Sequence, residues 1–155
     1  MRAKPISVTL LGWFSMASFF LALGQSRAQG ADLKFEAQLI WGTNEKESPN
    51  PNHKPVSAEM RKKLESLANK WANYFVVTNM TFAVPRGGAK RVPLSGKCEI
   101  EVKDLGHAQI EVTHFGKGKE VWKGKQALAK GEIFPVLGGN APNATAWFMV
   151  LRRLE

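Results

Sequence analysis

Alternating apolar and polar residues mark the beginning of the folded chain. In DLKFEAQLIWG, residues 32–42, every second position from Leu33 to Trp41 is apolar, and Lys34, Glu36 and Gln38 lie between them. A period of two is typical of a strand with one buried face. The pattern therefore predicts that the domain opens with a half-buried strand.

A loop and a helix are predicted to follow this strand. Residues 43–55 contain three prolines and three asparagines and few apolar residues, which predicts an exposed loop. From Ser57, a residue type that caps helix N-termini, apolar residues recur at helical spacing as far as Trp71. This is the one helix that the sequence predicts.

The rest of the chain consists of short runs rich in valine, isoleucine, phenylalanine and tryptophan, separated by glycine, asparagine and proline. Turn signals at a spacing of roughly 8 to 12 residues are typical of antiparallel all-β domains. The predicted fold is therefore mainly β, either an antiparallel β-sandwich or a small barrel, with one α-helix near the N-terminus of the mature chain.

The segment CEIEVKDLGHAQIEVTH, residues 98–114, predicts a hairpin closed at DLGH, because each arm carries Ile-Glu-Val. Its apolar residues should share one face, and its three glutamates the other. Cys98, the only cysteine, alternates in phase with Ile100, which favours a buried thiol over a nucleophile or an intermolecular disulfide. The apolar residues are Ile100, Val102, Ile110 and Val112, and the glutamates are Glu99, Glu101 and Glu111.

A glycine-rich insert, GGNAPN at residues 138–143, separates two apolar runs near the C-terminus. A phosphate-binding loop would require a following helix and a Lys-Ser or Lys-Thr pair, whereas the run TAWFMVL after the insert predicts a strand. We therefore expect a turn between two strands, with a loop that also touches a partner as the alternative.

Residues 1–30 have the pattern of an export signal. Arg2 and Lys4 precede a long apolar run, and the small residues Ala28 and Gly30 suit a signal peptidase, which predicts a mature chain that begins at Ala31. An uncleaved anchor is the alternative. Residues 31–155 should form a single β-rich domain, secreted or periplasmic, without a transmembrane segment. Loss of three basic residues with the leader lowers the net charge from +9 to +6.

The sequence offers little catalytic chemistry. His53, His107 and His114 are not at metal-ligand spacings and are expected at the surface, so no metal site is predicted. A nucleophile and base formed by Cys98 and His114, oriented by Asp104, is conceivable, but no motif frames it. We expect a protein that is not an enzyme and has no cofactor.

Four tryptophans remain after the leader. Trp41, Trp71 and Trp147 lie in phase with apolar neighbours and are expected in the core. Trp122 is surrounded by four lysines, and such a segment could hold an anionic polymer or a carbohydrate by charge and ring stacking. A ring packed on the sandwich edge beneath the lysine side chains is the simpler interpretation. The candidate binding residues are Lys117, Lys119, Trp122, Lys123 and Lys125.

The order of the exported leader, LIWGTN, KWANYFVVTN, the CEIEV hairpin and the closing GEIFPVLGGNAPNATAWFMVLRR resembles an uncharacterised family of small secreted bacterial proteins. The resemblance implies bacterial export and one compact domain, and it implies no activity. The expected function is an exported, non-catalytic binding or adaptor domain of the cell envelope, with an envelope protein or an anionic polymer as candidate partner. The alternative is a binder of anionic polymer or carbohydrate through Lys117–Lys125.

Overall fold

A computed structural model describes residues 30–66, 71–141 and 145–155, and for residues 137–141 only the backbone. The predicted leader therefore lies outside the described residues, apart from Gly30. Nine strands and one helix lie within the described part of the chain. They are β1 (Leu33–Thr43), β2 (Lys54–Pro55), α1 (Ala58–Glu65), β3 (Asn73–Val84), β4 (Ala89–Ser95), β5 (Cys98–Gly106), β6 (Gln109–Gly116), β7 (Lys119–Ala127), β8 (Ile133–Ala141) and β9 (Thr145–Arg153).

The strands form two antiparallel sheets. The five-stranded sheet has the order β2-β3-β1-β9-β8, and the four-stranded sheet has the order β4-β5-β6-β7. Within the described residues the two sheets pack face to face and do not close on each other. The mainly β prediction is confirmed, and of its two forms the sandwich is the observed one.

The inner layer of the sandwich follows the alternation of the sequence. The inward residues of β1, from Leu33 to Leu39, are at most 5% exposed and pack against the inward residues of β5 and β6. The apolar face predicted for the Ile-Glu-Val hairpin is therefore confirmed. Its members Ile100, Val102, Ile110 and Val112 are all fully buried.

The helix covers the other face of the five-stranded sheet. Ser57 Oγ accepts a hydrogen bond from the Met60 backbone nitrogen at 3.2 Å, which satisfies one of the free amides at the helix N-terminus. Met60 and Leu64 are buried in a second apolar layer that includes Tyr74 and Phe148. The predicted start of the helix is confirmed, but the helix ends at Glu65, so Trp71, predicted on its apolar face, is not part of it. Residues 67–70 of the predicted apolar face lie outside the described residues.

The hairpin of β5 and β6 closes slightly later than DLGH. His107 and Ala108 form a two-residue turn between paired Gly106 and Gln109, with positive φ angles of 52° and 60°. Positive φ at both turn residues matches the right-handed twist of the flanking strands.

The glycine-rich insert lies between two paired strands, as predicted, but the predicted turn includes residues that belong to a strand. Residues 138–141 belong to β8, where Gly139 pairs with Trp147 and Ala141 with Thr145, so they continue the strand instead of forming a turn. Backbone pairing in an antiparallel ladder does not require apolar side chains. A register shift between Leu137 and Gly139 interrupts the ladder. The connection itself, residues 142–144, lies outside the described residues.

Candidate functional site

The basic segment identified in the sequence forms one turn and one edge strand. Lys117 and Gly118 make the turn between β6 and β7, with positive φ angles of 51° and 77°. Strand β7 begins at Lys119 and is the last strand of the four-stranded sheet, so most of its side chains are exposed. The segment is accessible along the edge of the sandwich.

Trp122 points toward the other sheet. It lies opposite His114, whose side chain faces the inside of the sandwich, and its ring centroid is 6.2 Å from that of Phe134 on β8. A Cβ atom added at Gly124 would lie 2.5 Å from the indole ring, so the ring extends over this glycine. Trp122 is 38% exposed. It packs across the open edge between the two sheets.

The lysines that follow Trp122 lie on the opposite face of β7. Lys123 Nζ is 4.0 Å from Glu111 Oε1 and 3.6 Å from Glu120 Oε2, and Lys125 is the register partner of Glu111. Successive side chains of a strand point to opposite faces. Trp122 therefore does not share one surface with Lys123 and Lys125.

A concave site lies at one end of the sandwich. One side of this site is formed by four residues of the five-stranded sheet, Leu39, Val77, Trp147 and Met149. They face the β4–β5 turn and the β6–β7 turn. Together they line a cleft of about 700 Å³, within the usual size range of ligand pockets. We call this the end cleft, and its walls are mostly apolar.

Two lysines lie at the rim of the end cleft. Lys97, in the β4–β5 turn, and Lys117, in the β6–β7 turn, both line the cleft and are exposed. The Lys117 backbone nitrogen donates a hydrogen bond to the Lys97 carbonyl oxygen at 2.9 Å, which holds the two turns side by side. Among the described residues, neither lysine forms an ion pair. Their positive charge is therefore available to a ligand in the cleft.

Three side chains with sulfur or nitrogen donors meet in the cleft wall. Cys98 Sγ is 3.7 Å from His114 Nε2 and 3.4 Å from Met149 Sδ. His114 and Met149 are 8% and 1% exposed, and Cys98 is half-buried. Cys98 and His114 come from neighbouring strands of one sheet, whereas Met149 reaches them from the other sheet.

The electrostatics of this cluster favour neutral groups. Burial raises the pKa of the Cys98 thiol, and the nearby Glu99 adds to this effect. Burial also lowers the pKa of His114, since its charged form is disfavoured away from water. The thiol therefore keeps its proton at neutral pH, and the imidazole is in its neutral form, with only one of its two ring nitrogens protonated. A nucleophilic cysteine requires the opposite arrangement, a stabilised thiolate.

Asp104 does not orient His114. Its carboxylate accepts hydrogen bonds from the backbone nitrogens of Gly87 at 2.9 Å and Gly106 at 3.0 Å, at the opposite end of β5 from Cys98. The suggested arrangement of Cys98, His114 and Asp104 is therefore wrong for Asp104, although the structure does bring Cys98 and His114 together.

Several burial predictions for histidine and tryptophan are corrected by the structure. His114 was expected at the surface, but its position in phase with Val112 turns it into the sandwich. Trp147 was expected in the core, yet it is 36% exposed because it lies in the wall of the open end cleft. Trp41 and Trp71 are half-buried. His107 is exposed as expected, and His53 is half-buried beside Ser48.

Part of the end cleft could have been found from the sequence. The alternation that places Cys98 beside Ile100, combined with the hairpin register that pairs Ile100 with His114, makes Cys98 and His114 diagonal neighbours on one face. Met149 carries no such local signal, because its contact with Cys98 spans 51 residues and joins two sheets.

Comparison with known proteins does not assign the chain to a family. No protein-family model matches the chain, and no curated protein or solved structure shows significant similarity to it. None of the described helical residues belongs to a helix long and apolar enough to cross a membrane. Within the same described ranges, no three histidine, cysteine, aspartate or glutamate side chains cluster as a metal site would require.

Proposed function

We propose that this protein is an exported, non-catalytic binding domain of the bacterial cell envelope, and that its ligand site is the end cleft. The observation that carries the proposal is the cleft itself, an apolar concavity of about 700 Å³ with two lysines at its rim that form no ion pair with any other described residue. Export and the envelope location are inferred from the predicted leader.

The chemistry of the cleft favours an amphiphilic ligand. Leu39, Val77 and Met149 offer an apolar wall, which would gain from burying an alkyl chain. Lys97 and Lys117 would place positive charge at the mouth, where an acidic headgroup could remain in contact with water. The ligand class that fits both features is an apolar chain that ends in a carboxylate or phosphate.

A binding role is favoured over catalysis by the state of the cleft side chains. Burial favours the neutral forms of the Cys98 thiol and the His114 imidazole, and no carboxylate of the described part of the chain orients the imidazole. This arrangement can contact a ligand, but it does not supply an activated nucleophile.

The end cleft is also favoured over the basic segment as the ligand site. An anionic polymer bound along Lys117–Lys125 would meet Lys123 already paired with Glu111 and Glu120, and Trp122 on the other face of the strand. Polymer binding through that segment remains the alternative function.

The test measures binding of dodecanoate, with dodecanol as the uncharged comparison, by quenching of tryptophan fluorescence. Trp147 in the cleft wall provides the signal. Dodecanoate should bind more tightly than dodecanol, and a Lys97→Gln, Lys117→Gln double variant should remove that preference.

A matched control separates the two candidate sites. A Lys123→Gln, Lys125→Gln double variant removes the same charge from the edge strand and should bind dodecanoate like the wild type. If this control instead abolishes salt-dependent binding to heparin or single-stranded DNA while neither amphiphile binds, the polymer alternative replaces the cleft.

A further inference from the structure

Cys98, His114 and Met149 combine donors that soft metal ions prefer. Thiolate and thioether sulfur favour Cu(I), and imidazole nitrogen is also a common copper ligand. The three side chains line one wall of the end cleft, and their donor atoms are in mutual contact through Cys98 Sγ. Methionine provides the third donor, so this site does not require a carboxylate ligand.

The imidazole of His114 points toward Cys98, and this is its one side-chain hydrogen-bond contact among the described residues. His114 is 8% exposed, and its Nε2 atom faces Cys98 Sγ at 3.7 Å. Among the described residues it makes no hydrogen bond besides this weak contact with sulfur. A buried imidazole normally has a firm polar partner. A metal ion on Nε2 would supply one.

The separations of the donors match a shared ion. With metal–sulfur bonds of about 2.3 Å and a metal–nitrogen bond of about 2.0 Å, the observed 3.4 Å and 3.7 Å separations correspond to ligand–metal–ligand angles of roughly 95° and 120°. Both angles lie near those of three- or four-coordinate sites. Each of these two separations could therefore be bridged by one ion.

The charge of the site selects a monovalent ion. Binding of Cu⁺ releases the thiol proton of Cys98 to solvent and forms a metal–thiolate bond, so the net charge of the buried cluster does not change. A divalent ion in the same place would leave one uncompensated positive charge among Leu39, Val77 and Met149. Burial of such a charge is costly.

From these observations we propose that Cys98, His114 and Met149 form a binding site for one Cu(I) ion in the wall of the end cleft. The proposal goes beyond amphiphile binding, since the ion is held by three donor atoms, of which only Met149 also belongs to the apolar wall proposed to bind the amphiphile. Metal titration without amphiphile therefore tests it separately.

The experiment is an anaerobic titration of the mature protein with Cu(I) in competition with the chromogenic chelator bicinchoninate. The wild type should remove one Cu(I) per chain from the chelator, and X-ray absorption should show sulfur neighbours of the ion. Zn(II) should not displace it.

The decisive variant is Met149→Leu, which removes the thioether and nearly conserves the side-chain volume. Its affinity for Cu(I) should fall at least about tenfold, since even residues that only support metal ligands often contribute that much. Met60→Leu is the matched control, because Met60 is 3% exposed in the layer beneath the helix and should leave the affinity unchanged.

Cys98→Ser should lower the affinity more than Met149→Leu, and circular dichroism verifies that each variant is folded. The proposal is overturned if the wild type does not compete with the chelator, if Zn(II) binds more tightly than Cu(I), or if Met149→Leu binds like the wild type.

Discussion

Asp104 connects two turns of the sandwich, and its replacement by asparagine tests whether this connection stabilises the fold. The side chain is 4% exposed. One carboxylate oxygen accepts from the Gly87 nitrogen at 2.9 Å and the other from the Gly106 nitrogen at 3.0 Å. The Asp104 nitrogen donates to the Gly88 carbonyl oxygen, also at 2.9 Å. The residue therefore joins the β3–β4 turn to the end of β5.

The size of the effect follows from these contacts. Asparagine has almost the same shape as aspartate, but only one of its terminal atoms is an acceptor, so one of the two amides loses its partner. A hydrogen bond to a charged group contributes about 1.5 to 3 kcal/mol, and the remaining bond becomes a weaker neutral one. We expect Asp104→Asn to lower the free energy of unfolding by about 2 to 3 kcal/mol at pH 7.

The pH dependence identifies the charge as the cause. Burial alone would raise the pKa of Asp104, but hydrogen bonds from Gly87 and Gly106 and the charges of Arg86 and Arg153 lower it below 3.8. A carboxylate whose pKa is lower in the folded state stabilises the protein above its unfolded pKa and loses this contribution as the pH falls through the folded value. The difference between wild type and variant should therefore shrink below pH 3.8.

The assay is urea unfolding followed by tryptophan fluorescence at pH 7 and pH 3. Asp32→Asn is the control, because Asp32 is exposed and its replacement should change stability by less than about 0.5 kcal/mol. An equal loss in both variants, or a difference that does not depend on pH, would refute the assigned role of Asp104.

Three further predictions concern the sheet edge and the end cleft. Gly124→Ala should push the Trp122 ring away, shift its emission to the red and cost about 1 to 3 kcal/mol, whereas Gly96→Ala, where an added Cβ meets nothing, should not shift the emission. Cys98 should react with iodoacetamide at pH 7 at least about tenfold more slowly in the folded protein than in urea, since burial raises the pKa of its thiol; equal rates would contradict this. Because burial lowers the pKa of His114, its neutral form is stable in the fold above pH 6.5, and the free energy of unfolding should decline as the pH falls below that value. His114→Gln should decline less over the same range, and parallel curves for the two proteins would contradict the assignment.

The sequence by itself determined which faces of the strands are buried. In β5 and β6 and in β1 as far as Leu39, the alternation of apolar and polar residues places the predicted inward residues in the inner layer. Trp41, predicted on the same face of β1, follows a register shift and is only half-buried. The start of α1 was also local information, since the Ser57 hydroxyl caps an amide only three residues later. Such features depend on neighbours along the chain, and the chain geometry fixes them before any long-range packing occurs.

The tertiary structure decided how much of each face is covered. Trp147 lies on the inward face of β9, yet the four-stranded sheet does not extend over it, so it lines an open cleft. Gly139 is drawn into β8 by pairing with Trp147 of β9, and Gly138 lies at the register shift before it, although glycine's own preference is for turns. Coverage by a second sheet cannot be read from the period of one strand.

The candidate site shows the same division. Cys98 and His114 were within reach of a sequence argument, because one hairpin register relates them. Met149 and the rim lysines were not, since they meet only after the two sheets pack and the β4–β5 and β6–β7 turns are joined by the hydrogen bond from Lys117 to Lys97. Periodicity fixes the direction of a side chain, but the cleft exists because two sheets of unequal extent pack together, and only the packed fold determines where one ends over the other.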